Sequence, residues 1–418
     1  MKRAPFPSPA AIAAVAILLL SGSIARPADW PQFHGPDRSN RSAATGLRKS
    51  WPAEGPELLW TARGLGHGFA TVSIAGGRIY TSGNIDDKTV ITALDLDGRH
   101  LWQAENGPSW TKSVPGTRST PTIDEDRLYH ESPLGELVCL AASSGKRLWG
   151  LNLLETFRSQ NINWGLSESV LIDGDRLICC PGGPETAIVA LDKFHGTTIW
   201  KSPSAGDLAG YASPSLGKYR GLRMIFTLTA RAILGVNADS GALLFRFEHT
   251  TPFDESIFMP LYHDGHVFVS TRTTGSVLLK LNVEGQSVSA EPVWRTEQLD
   301  NQHGGVVLLD GYLYGACHVR NNGRWVCLDW KTGREMYADR GIGKGSLTYA
   351  DGMFYAVNER GNVAMIKPNP QRYEIVSQFE IPKGGEGPTW AHPVVCGGRL
   401  YLRHGDLLYV YDIREKEE

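Results

Sequence analysis

The 418-residue sequence lacks a strong charge of either sign and lacks the short motifs of the common catalytic classes. Its 42 lysine and arginine residues nearly balance its 44 aspartate and glutamate residues, and the net charge is −2. No block of basic residues occurs, so we expect no nucleic-acid-binding surface. The chain has no Gly-x-Ser-x-Gly elbow, His-Glu-x-x-His motif or phosphate-binding loop, so hydrolase and nucleotide-dependent functions lack a starting residue.

A long hydrophobic run is present only at the N-terminus. Lys2 and Arg3 precede an apolar run over residues 10–20, and small residues follow it up to Ala28. The run is shorter than the roughly 20 residues that span a bilayer, and its basic start and small-residue end are typical of a secretory signal peptide. We therefore predict that residues 1–28 are a signal peptide and that the rest is exported, as a soluble periplasmic or secreted protein. No cysteine follows the run, so a lipid anchor is not expected.

The remaining chain contains eight copies of one pattern, in which a glycine or aspartate is followed by an apolar pair that ends in Tyr, Phe or Ile. The final residues of the copies are Tyr80, Tyr129, Ile178, Ile225, Phe268, Tyr314, Tyr355 and Tyr401. A spacing of about 40 to 50 residues is typical of propeller blades or of helical arrays. The segments are rich in Val, Ile, Tyr and Thr and are interrupted by Gly, Asp and Asn, which favours strands joined by hairpin turns.

Each repeat divides into short alternating strands. In the first repeat we predict strands at 70–75, 78–82, 90–96 and 100–105. In the eighth repeat we predict strands at 393–396, 399–403 and 407–412. The eighth repeat therefore lacks a fourth strand at its end.

Residues 57–60 stand before the first complete repeat, and we expect them to supply the missing strand. The sequence thus predicts an all-β fold, an eight-bladed β-propeller of four-stranded antiparallel blades, closed by pairing of this N-terminal strand with the last blade. We assign residues 57–414 to this single domain. Residues 29–56 form an N-terminal leader segment, and residues 415–418 form a charged tail.

A second marker places a glycine four residues before an aromatic residue. The pairs are Gly98 with Trp102, Gly145 with Trp149, Gly196 with Trp200, Gly241 with Phe245 and Gly333 with Tyr337. The glycine supplies the positive φ of a tight turn. An aromatic residue at one place in each outer strand is predicted to pack between neighbouring blades.

The amino-acid sequence of the repeats resembles that of a known protein family. Residues 189–192 read Val-Ala-Leu-Asp and are followed by Gly196 and Trp200, and residues 327–333 read CLDWKTG. Both are similar to the ALD…TGk..W repeat of the pyrroloquinoline-quinone (PQQ)-like β-propellers, and the resemblance covers about residues 60–412. Residues 30–38, WPQFHGPDR, resemble the leader of exported bacterial members, with His34 in place of the usual arginine.

This resemblance implies the fold and leaves two functions open, because the family includes quinoprotein dehydrogenases and propellers that bind no quinone. One quinone-free member is the propeller subunit of the outer-membrane β-barrel assembly machine. The adjacent Cys179 and Cys180 are open to two interpretations: a vicinal disulfide stacked on a quinone, as the dehydrogenases imply, or buried residues of a second strand. We favour the buried residues, and we expect Cys139 and Cys327, which share one repeat position in a third strand, to be small buried hydrophobic residues.

The entrances to the innermost strands surround the axis of a propeller, and their residues differ from blade to blade. Aligning the repeats on Pro121 gives the ring Gly68, Arg118, Ser167, Tyr211, Ile257, His303, Lys344 and Trp390. We predict a ligand-binding axial mouth formed by Arg118, Trp164, Glu168, Tyr211, His303, Lys344, Trp390 and His392. The alternative is a hydrated mouth without a ligand, in which Glu168 pairs with Arg118 or Lys344, His303 bonds a neighbouring backbone group and the tryptophans pack between blades.

PQQ with calcium is the alternative occupant of this mouth. Arg118 and Lys344 can oppose its carboxylates, Trp164 or Trp390 can stack on its ring, and Glu168 can ligate calcium. A dehydrogenase needs a further carboxylate as base, and the ring contains only one acid. No haem-attachment motif occurs.

We therefore expect no catalytic residue, metal or cofactor, although a metal site formed by His303, His392 and Glu168 is conceivable. The hypothesis is a monomeric, non-catalytic binding or scaffolding module that holds a small ligand or a protein segment at its mouth. The alternative is a PQQ- and calcium-dependent alcohol or sugar dehydrogenase.

Overall fold

A computed structural model describes residue 1, residues 29–318 and residues 323–416. The predicted signal peptide, apart from Met1, lies outside the described residues. Within the described residues, no helix is long and apolar enough to cross a membrane.

The described chain forms eight sheets, and apart from the last each contains four sequential antiparallel strands. The sheet of blade 7 has a fifth strand, Arg41–Ser42 of the leader, which pairs parallel with Gly345–Ala350. Blade 1 contains Ser73–Ala75, Arg78–Ile85, Lys88–Asp95 and His100–Pro108, and blade 2 contains Thr122–Asp124, Arg127–Glu131, Glu136–Ala141 and Arg147–Asn152. Blade 3 contains Leu171–Asp173, Arg176–Cys179, Val189–Asp192 and Thr198–Lys201, and blade 4 contains Ser215–Tyr219, Leu222–Leu228, Ala232–Asn237 and Leu243–Glu248. Blade 5 contains Leu261–His263, His266–Thr271, Gly275–Glu284 and Ser287–Thr296, and blade 6 contains Val306–Leu309, Tyr312–Ala316, Trp325–Asp329 and Glu335–Asp339. Blade 7 contains Gly345–Ala350, Met353–Asn358, Asn362–Lys367 and Glu374–Glu380, and blade 8 contains Val394–Cys396, Arg399–His404 and Leu407–Asp412. Helical turns occur at Leu153–Thr156 and Pro252–Asp254. The predicted eight-bladed propeller is confirmed.

The ring is closed by the N-terminal strand, as the sequence predicts. Glu57–Ala62 pairs antiparallel with Leu407–Asp412 and completes blade 8. The first strand of blade 1 is shorter than predicted, because the N–H and the hydroxyl of Thr71 bond outside its own blade. Its N–H donates to Thr120 Oγ1 at 3.2 Å and its hydroxyl donates to the His392 carbonyl at 2.7 Å.

Outer-strand tryptophans join neighbouring blades, which confirms the predicted packing for Trp102, Trp149 and Trp200. Each ring covers the turn glycine of the following blade, where a Cβ would lie 2.4 to 2.7 Å from the ring. The pairs are Trp60 on Gly98, Trp102 on Gly145, Trp149 on Gly196, Trp200 on Gly241 and Trp294 on Gly333. Trp60 Nε1 also donates to the Leu96 carbonyl at 3.1 Å.

The core lies between the blades. Tyr129 and Cys139 of blade 2, for example, pack against Leu177 and Cys179 of blade 3. Cys139 and Cys327 are fully buried in third strands, as the sequence predicts. Cys179 and Cys180 are buried free thiols at the end of a second strand.

A fully hydrogen-bonded arginine joins blade 8 to blade 1, an interface that we call the closing seam. Arg403 is 2% exposed. Its guanidinium donates to the carbonyls of Ala70 at 3.1 Å, Ser82 at 2.5 Å, Gly66 at 3.0 Å, Leu65 at 3.3 Å and Gly405 at 3.2 Å, and to the Thr81 hydroxyl. Burial lowers the pKa of Arg403 to about 10, so it remains a cation at neutral pH.

The leader segment crosses the central channel. Trp30 pairs with Ile74 of blade 1, and Arg38 donates to the Pro214 carbonyl, at 2.7 Å, where blade 4 begins. Two residues later, the Asn40 side chain accepts a bond from Thr348 Oγ1 of blade 7 at 2.9 Å. Blades 3 and 4 face blades 7 and 8 in an eight-membered ring, so this segment spans the axis and covers the channel.

Candidate functional site

A cavity of about 160 Å³ lies on the axis, where the entrances to the first strands meet the leader. Six of the predicted mouth residues line it: Arg118, Trp164, Tyr211, His303, Trp390 and His392. Glu168 and Lys344 do not. The described lining residues come from the entrances of every blade other than blade 7, and from the leader.

The leader contributes Phe33 and His34, which the sequence reasoning did not assign to the site. The two rings stack with centroids 4.0 Å apart. Phe69, Phe258 and Met259 add further apolar surface that the sequence reasoning also missed. The signal for Phe33 and His34 was the WPQFHGPDR segment itself, whose aromatic residues are too many for a solvated linker.

Arg118 carries a charge that no neighbouring acid neutralises. Its guanidinium donates to three main-chain carbonyls, those of Val114 at 2.7 Å, Trp164 at 2.9 Å and Gly116 at 3.2 Å. It also lies over the Phe69 ring at 5.5 Å. Burial lowers the pKa of Arg118 to about 10, so the group stays charged at neutral pH. Among the described residues it forms no salt bridge, so the pair with Glu168 that the ligand-free alternative allowed is not formed.

Lys344, in contrast, is neutralised. Its Nζ lies 2.8 Å from Glu359 Oε1 and donates to Gln302 Oε1 at 3.1 Å. Its partner is therefore Glu359 and not Glu168, the partner that the ligand-free alternative allowed. Trp390 Nε1 donates to the same Glu359 oxygen at 2.6 Å, which fixes the indole at the edge of the cavity.

A second ion pair lies on the same side of the mouth. Arg272 donates to Glu255 Oε2 at 2.7 Å, and the Gln302 amide donates to Glu255 Oε1. Gln302 thus links the Arg272–Glu255 pair to the Lys344–Glu359 pair, and the charges on this side cancel. Among the described residues of the mouth, Arg118 remains as the uncompensated charge.

Three histidines form a neutral polar wall. His34 Nε2 lies 3.1 Å from His392 Nδ1, and His392 Nε2 lies 2.5 Å from the His303 carbonyl. A carbonyl can only accept, so His392 Nε2 carries a proton, Nδ1 accepts, and His34 Nε2 donates. Burial is the largest cause of the lowered pKa values: that of His392 falls to about 4, and those of His34 and His303 fall well below their ordinary value.

A glycine allows this histidine contact. Gly305 has φ +72°, and a Cβ there would lie 2.9 Å from His392 Cε1. His303 Nε2 is buried and has no hydrogen-bond partner among the described residues. The predicted bond from the His303 ring to a backbone group is therefore not formed through this atom, and the nitrogen is available to a ligand.

Aromatic rings form the remaining walls. Trp390 lies 4.7 Å from Phe69 and 5.2 Å from His303 between ring centroids, and Trp164 lies 5.8 Å from Tyr211. Burial raises the pKa of Tyr211 to about 12, so its phenol is neutral. Trp164 and Trp390 both line the cavity, and each also contacts a ring of a neighbouring blade.

Glu168 lies away from the cavity, between blades 2 and 3. Its Oε2 accepts from the Cys180 N–H at 2.9 Å, and burial raises its pKa to about 8. It groups with Glu131 and Cys179 rather than with His303 and His392. The histidine and glutamate metal site that the sequence left open is therefore not assembled.

The described cavity does not fit a calcium-bound quinone. Among the described lining residues the only acid is Glu255, and its oxygens are engaged by Arg272 and Gln302. Calcium takes six to eight oxygen ligands, at least one of which is normally a free carboxylate. The cation and the aromatic rings remain, and these can hold an organic anion without a metal.

The resemblance to PQQ-like propellers is confirmed by comparison with known proteins. Residues 49–185 match the family described as outer membrane protein assembly factor BamB. No curated protein sequence matches the chain.

Solved structures show the same fold at low sequence identity. BamB from Moraxella catarrhalis is 14% identical, with a TM-score of 0.59, over 86% of this chain and 98% of that one. Quinohemoprotein alcohol dehydrogenase from Comamonas testosteroni is 13% identical, with a TM-score of 0.62, over 94% and 81%. A europium-containing methanol dehydrogenase is 12% identical, with a TM-score of 0.64, over 90% of each chain. At these identities the similarity shows the fold alone.

Proposed function

We propose that this PQQ-like β-propeller is an exported, non-catalytic binding module whose axial cavity holds an organic anion. The ligand carries a carboxylate or similar anionic group next to a flat apolar ring. A small aromatic acid and the C-terminal residue of a partner protein share this chemistry. The resemblance to the BamB family supports a binding role.

The observation that carries the proposal is the charge on Arg118. A buried cation held only by carbonyls gains most from an anion, because hydrogen bonds between ionised groups are about twice as strong as neutral ones. The other cations near the mouth, Arg272 and Lys344, already have carboxylate partners. An anion entering the cavity therefore has one preferred position.

The walls of the cavity determine which chemical group can lie beside the anion. Phe69, Trp164 and Trp390 offer ring faces, and the histidines are neutral and add no competing charge. Pockets of this kind use apolar surface for affinity and a few polar groups for orientation. His303 Nε2 is available as one such polar group.

The test is calorimetric titration with aryl carboxylates, their neutral amides, and short peptides ending in phenylalanine with a free or an amidated C-terminus. We expect saturable binding of the acids and at least about tenfold weaker binding of the amides, since a hydrogen bond to a charged group contributes about 1.5–3 kcal/mol. Arg118→Gln should remove this preference. Arg246→Gln, which breaks an ion pair with Asp207 away from the cavity, is the matched control and should bind as the wild type does.

Two outcomes would replace the proposal. Equal binding of acids and amides, unaffected by Arg118→Gln, would move the function to the blade edges or outer loops, the second way in which a propeller acts as a scaffold. Calcium-dependent binding of PQQ, followed by reduction of an artificial dye, would make the protein a quinoprotein dehydrogenase. The fully engaged carboxylate of Glu255 argues against the second outcome.

A further inference from the structure

Two glutamates and a cysteine meet in the interior, at the interface between blades 2 and 3. Glu131 ends the second strand of blade 2, Cys179 ends the second strand of blade 3, and Glu168 lies at the entrance to blade 3. One ligand atom from each, two carboxylate oxygens and the thiol sulfur, lie within 4.8 Å of one another. No other group of three or more metal-ligating side chains this close occurs in the described part of the chain.

The carboxylates in this cluster are incompletely hydrogen-bonded. Glu131 is 2% exposed and Glu168 is 4% exposed, yet Glu131 Oε2 and Glu168 Oε1 have no hydrogen-bond partner among the described residues. A buried acceptor without a partner costs about 1–3 kcal/mol, and more when it is charged. Two such oxygens beside one buried thiol indicate a missing ligand that carries positive charge.

We propose that Glu131, Glu168 and Cys179 bind a divalent transition-metal ion of the zinc class, which clamps blade 2 to blade 3. Zinc accepts both thiolate sulfur and carboxylate oxygen, at about 2.3 Å and 2.0–2.2 Å. A thiolate ligand disfavours calcium and magnesium, which take oxygen ligands. Three protein ligands leave a fourth tetrahedral position for a water molecule.

One partner orients the ligand set. The Cys180 N–H donates to Glu168 Oε2, which leaves Oε1 as the free oxygen that can join the cluster. Hydrogen bonds of this kind fix the direction of a metal ligand. The two adjacent cysteines therefore have different tasks: Cys179 offers its sulfur and Cys180 offers its main chain.

The charges balance when the ion is present. Two carboxylates and one thiolate carry three negative charges, a divalent ion carries two positive charges, and the Arg38 guanidinium, whose charge acts on Glu168, supplies the third. Arg38 is buried and held by the carbonyls of Ser169, Val170 and Pro214. Arg38, which belongs to the leader, thus brings the total charge of the ion and its ligands to zero, and no net charge remains in the interior.

The test is expression of the full chain in medium supplemented with cobalt or zinc, followed by metal analysis and absorption spectroscopy of the purified protein. We expect one ion per chain, and a sulfur-to-cobalt charge-transfer band in the near ultraviolet. Cys179→Ser should remove the band, and Glu131→Gln or Glu168→Gln should weaken metal binding at least about tenfold in competition with a chromophoric chelator. Cys139→Ser, which changes a buried thiol of blade 2 outside the cluster, is the matched control and should retain the band.

The wild-type cobalt spectrum decides the matter even if a variant fails to fold. A wild-type protein without bound metal and without the charge-transfer band would overturn the proposal. A band that persists in Cys179→Ser would also overturn it, because the ion would then be bound elsewhere.

Discussion

The closing seam between blades 8 and 1 and the interface between blades 2 and 3 place opposite charges at the same position of the repeat. Arg403 and Glu131 each lie two residues after a repeat tyrosine, Tyr401 and Tyr129. Arg403 donates to five carbonyls and one hydroxyl. Glu131 keeps an oxygen without a partner.

The residues opposite them correspond as well. Thr81 of blade 1 accepts from Arg403, and Cys179 of blade 3 faces Glu131. Backbone carbonyls are abundant where strands begin, so a buried cation finds acceptors there without help. A buried carboxyl group at the same place finds few donors, so it is either protonated or bound to a cation. The repeat therefore carries a structural residue in one interface and a candidate site in the other.

Deleting residues 29–62 should have the largest effect on this comparison. The deletion removes the strand Glu57–Ala62 from blade 8 and also removes Arg38, so it opens the closing seam and takes the cation from the cluster between blades 2 and 3. We expect aggregation, because the edge of Leu407–Asp412 is exposed. Size-exclusion chromatography with light scattering measures it, and a truncation after residue 414 is the control. A monomeric deletion protein with unchanged melting would show that the ring does not depend on this closure.

Arg403→Met should have the next largest effect. It leaves six acceptors in the closing seam without their donor, and a buried acceptor left without a partner costs about 1–3 kcal/mol. Urea unfolding measures the change in the free energy of unfolding. Arg403→Lys keeps the charge without the planar geometry, so its stability should lie between those of the wild type and Arg403→Met. A loss below about 1 kcal/mol would mean that water replaces the guanidinium.

Acidification should act on the leader and leave the closing seam intact. Burial lowers the pKa of His392 to about 4, while unfolded histidine has a pKa near 6.5. The folded state therefore binds fewer protons, its stability is fully present above pH 6.5, and stability is lost as the pH falls towards 4, at up to about 1.4 kcal/mol per pH unit for each such histidine. Arg403, with a pKa of about 10, does not titrate in this range.

Thermal unfolding between pH 7.5 and pH 4.5 measures this dependence. His392→Gln keeps a donor for the His303 carbonyl and removes the titrating ring that His34 contacts. We expect a shallower loss of the melting temperature on acidification in this variant. An identical pH profile would assign the acid sensitivity to other buried histidines, such as His249, whose pKa burial also lowers to about 4.

Glu131→Gln should have the smallest effect, and its size should depend on the metal. In protein treated with a chelator we expect little change in stability, because a buried carboxyl group without a partner is protonated and glutamine replaces it with another neutral group. In zinc-loaded protein we expect a loss, because the ion loses a ligand. Thermal melts with chelator and with zinc distinguish the two states. A loss of stability in both states would mean that Glu131 is bonded in a way the cluster does not explain.

Much of this architecture could be predicted from the sequence, because a repeat supplies its own register. The spacing of Tyr80 and its equivalents fixed the blade count, and the absent fourth strand after Asp412 required Glu57–Ala62 to close the ring. The first strand of blade 1 was predicted too long, since the N–H and the hydroxyl of Thr71 bond to neighbouring blades.

The candidate site was predicted in part, for a related reason. Positions aligned on the strand entrance face the axis, and Arg118, Tyr211 and Trp390 do line the cavity. Glu168 follows Ser167, and successive residues of extended chain point to opposite sides, so Glu168 turns into the interface between the blades. Phe33 and His34 belong to a segment without repeats, and no alignment gives their place.

The sequence also distinguishes Glu131 from the residues at the equivalent positions of other repeats. Its equivalents two residues after the repeat aromatic include Ser82, Cys180, Thr227 and Ser270, which are small. A glutamate among small buried residues needs a specific partner. The pairing of Lys344 with Glu359, by contrast, depends on side-chain directions that the sequence does not contain.

The tryptophan and glycine contacts between blades have a consequence for how such a ring can arise. Blades 1 to 3 each carry a turn glycine that receives the preceding blade's tryptophan and an outer tryptophan that covers the next glycine, as Gly145 and Trp149 of blade 2 do. A tandem duplication of one such segment in the gene would therefore bring both halves of the contact to the new junction. The number of blades can then change during evolution without the invention of a new interface, while the strand that closes the ring sets where the count must end.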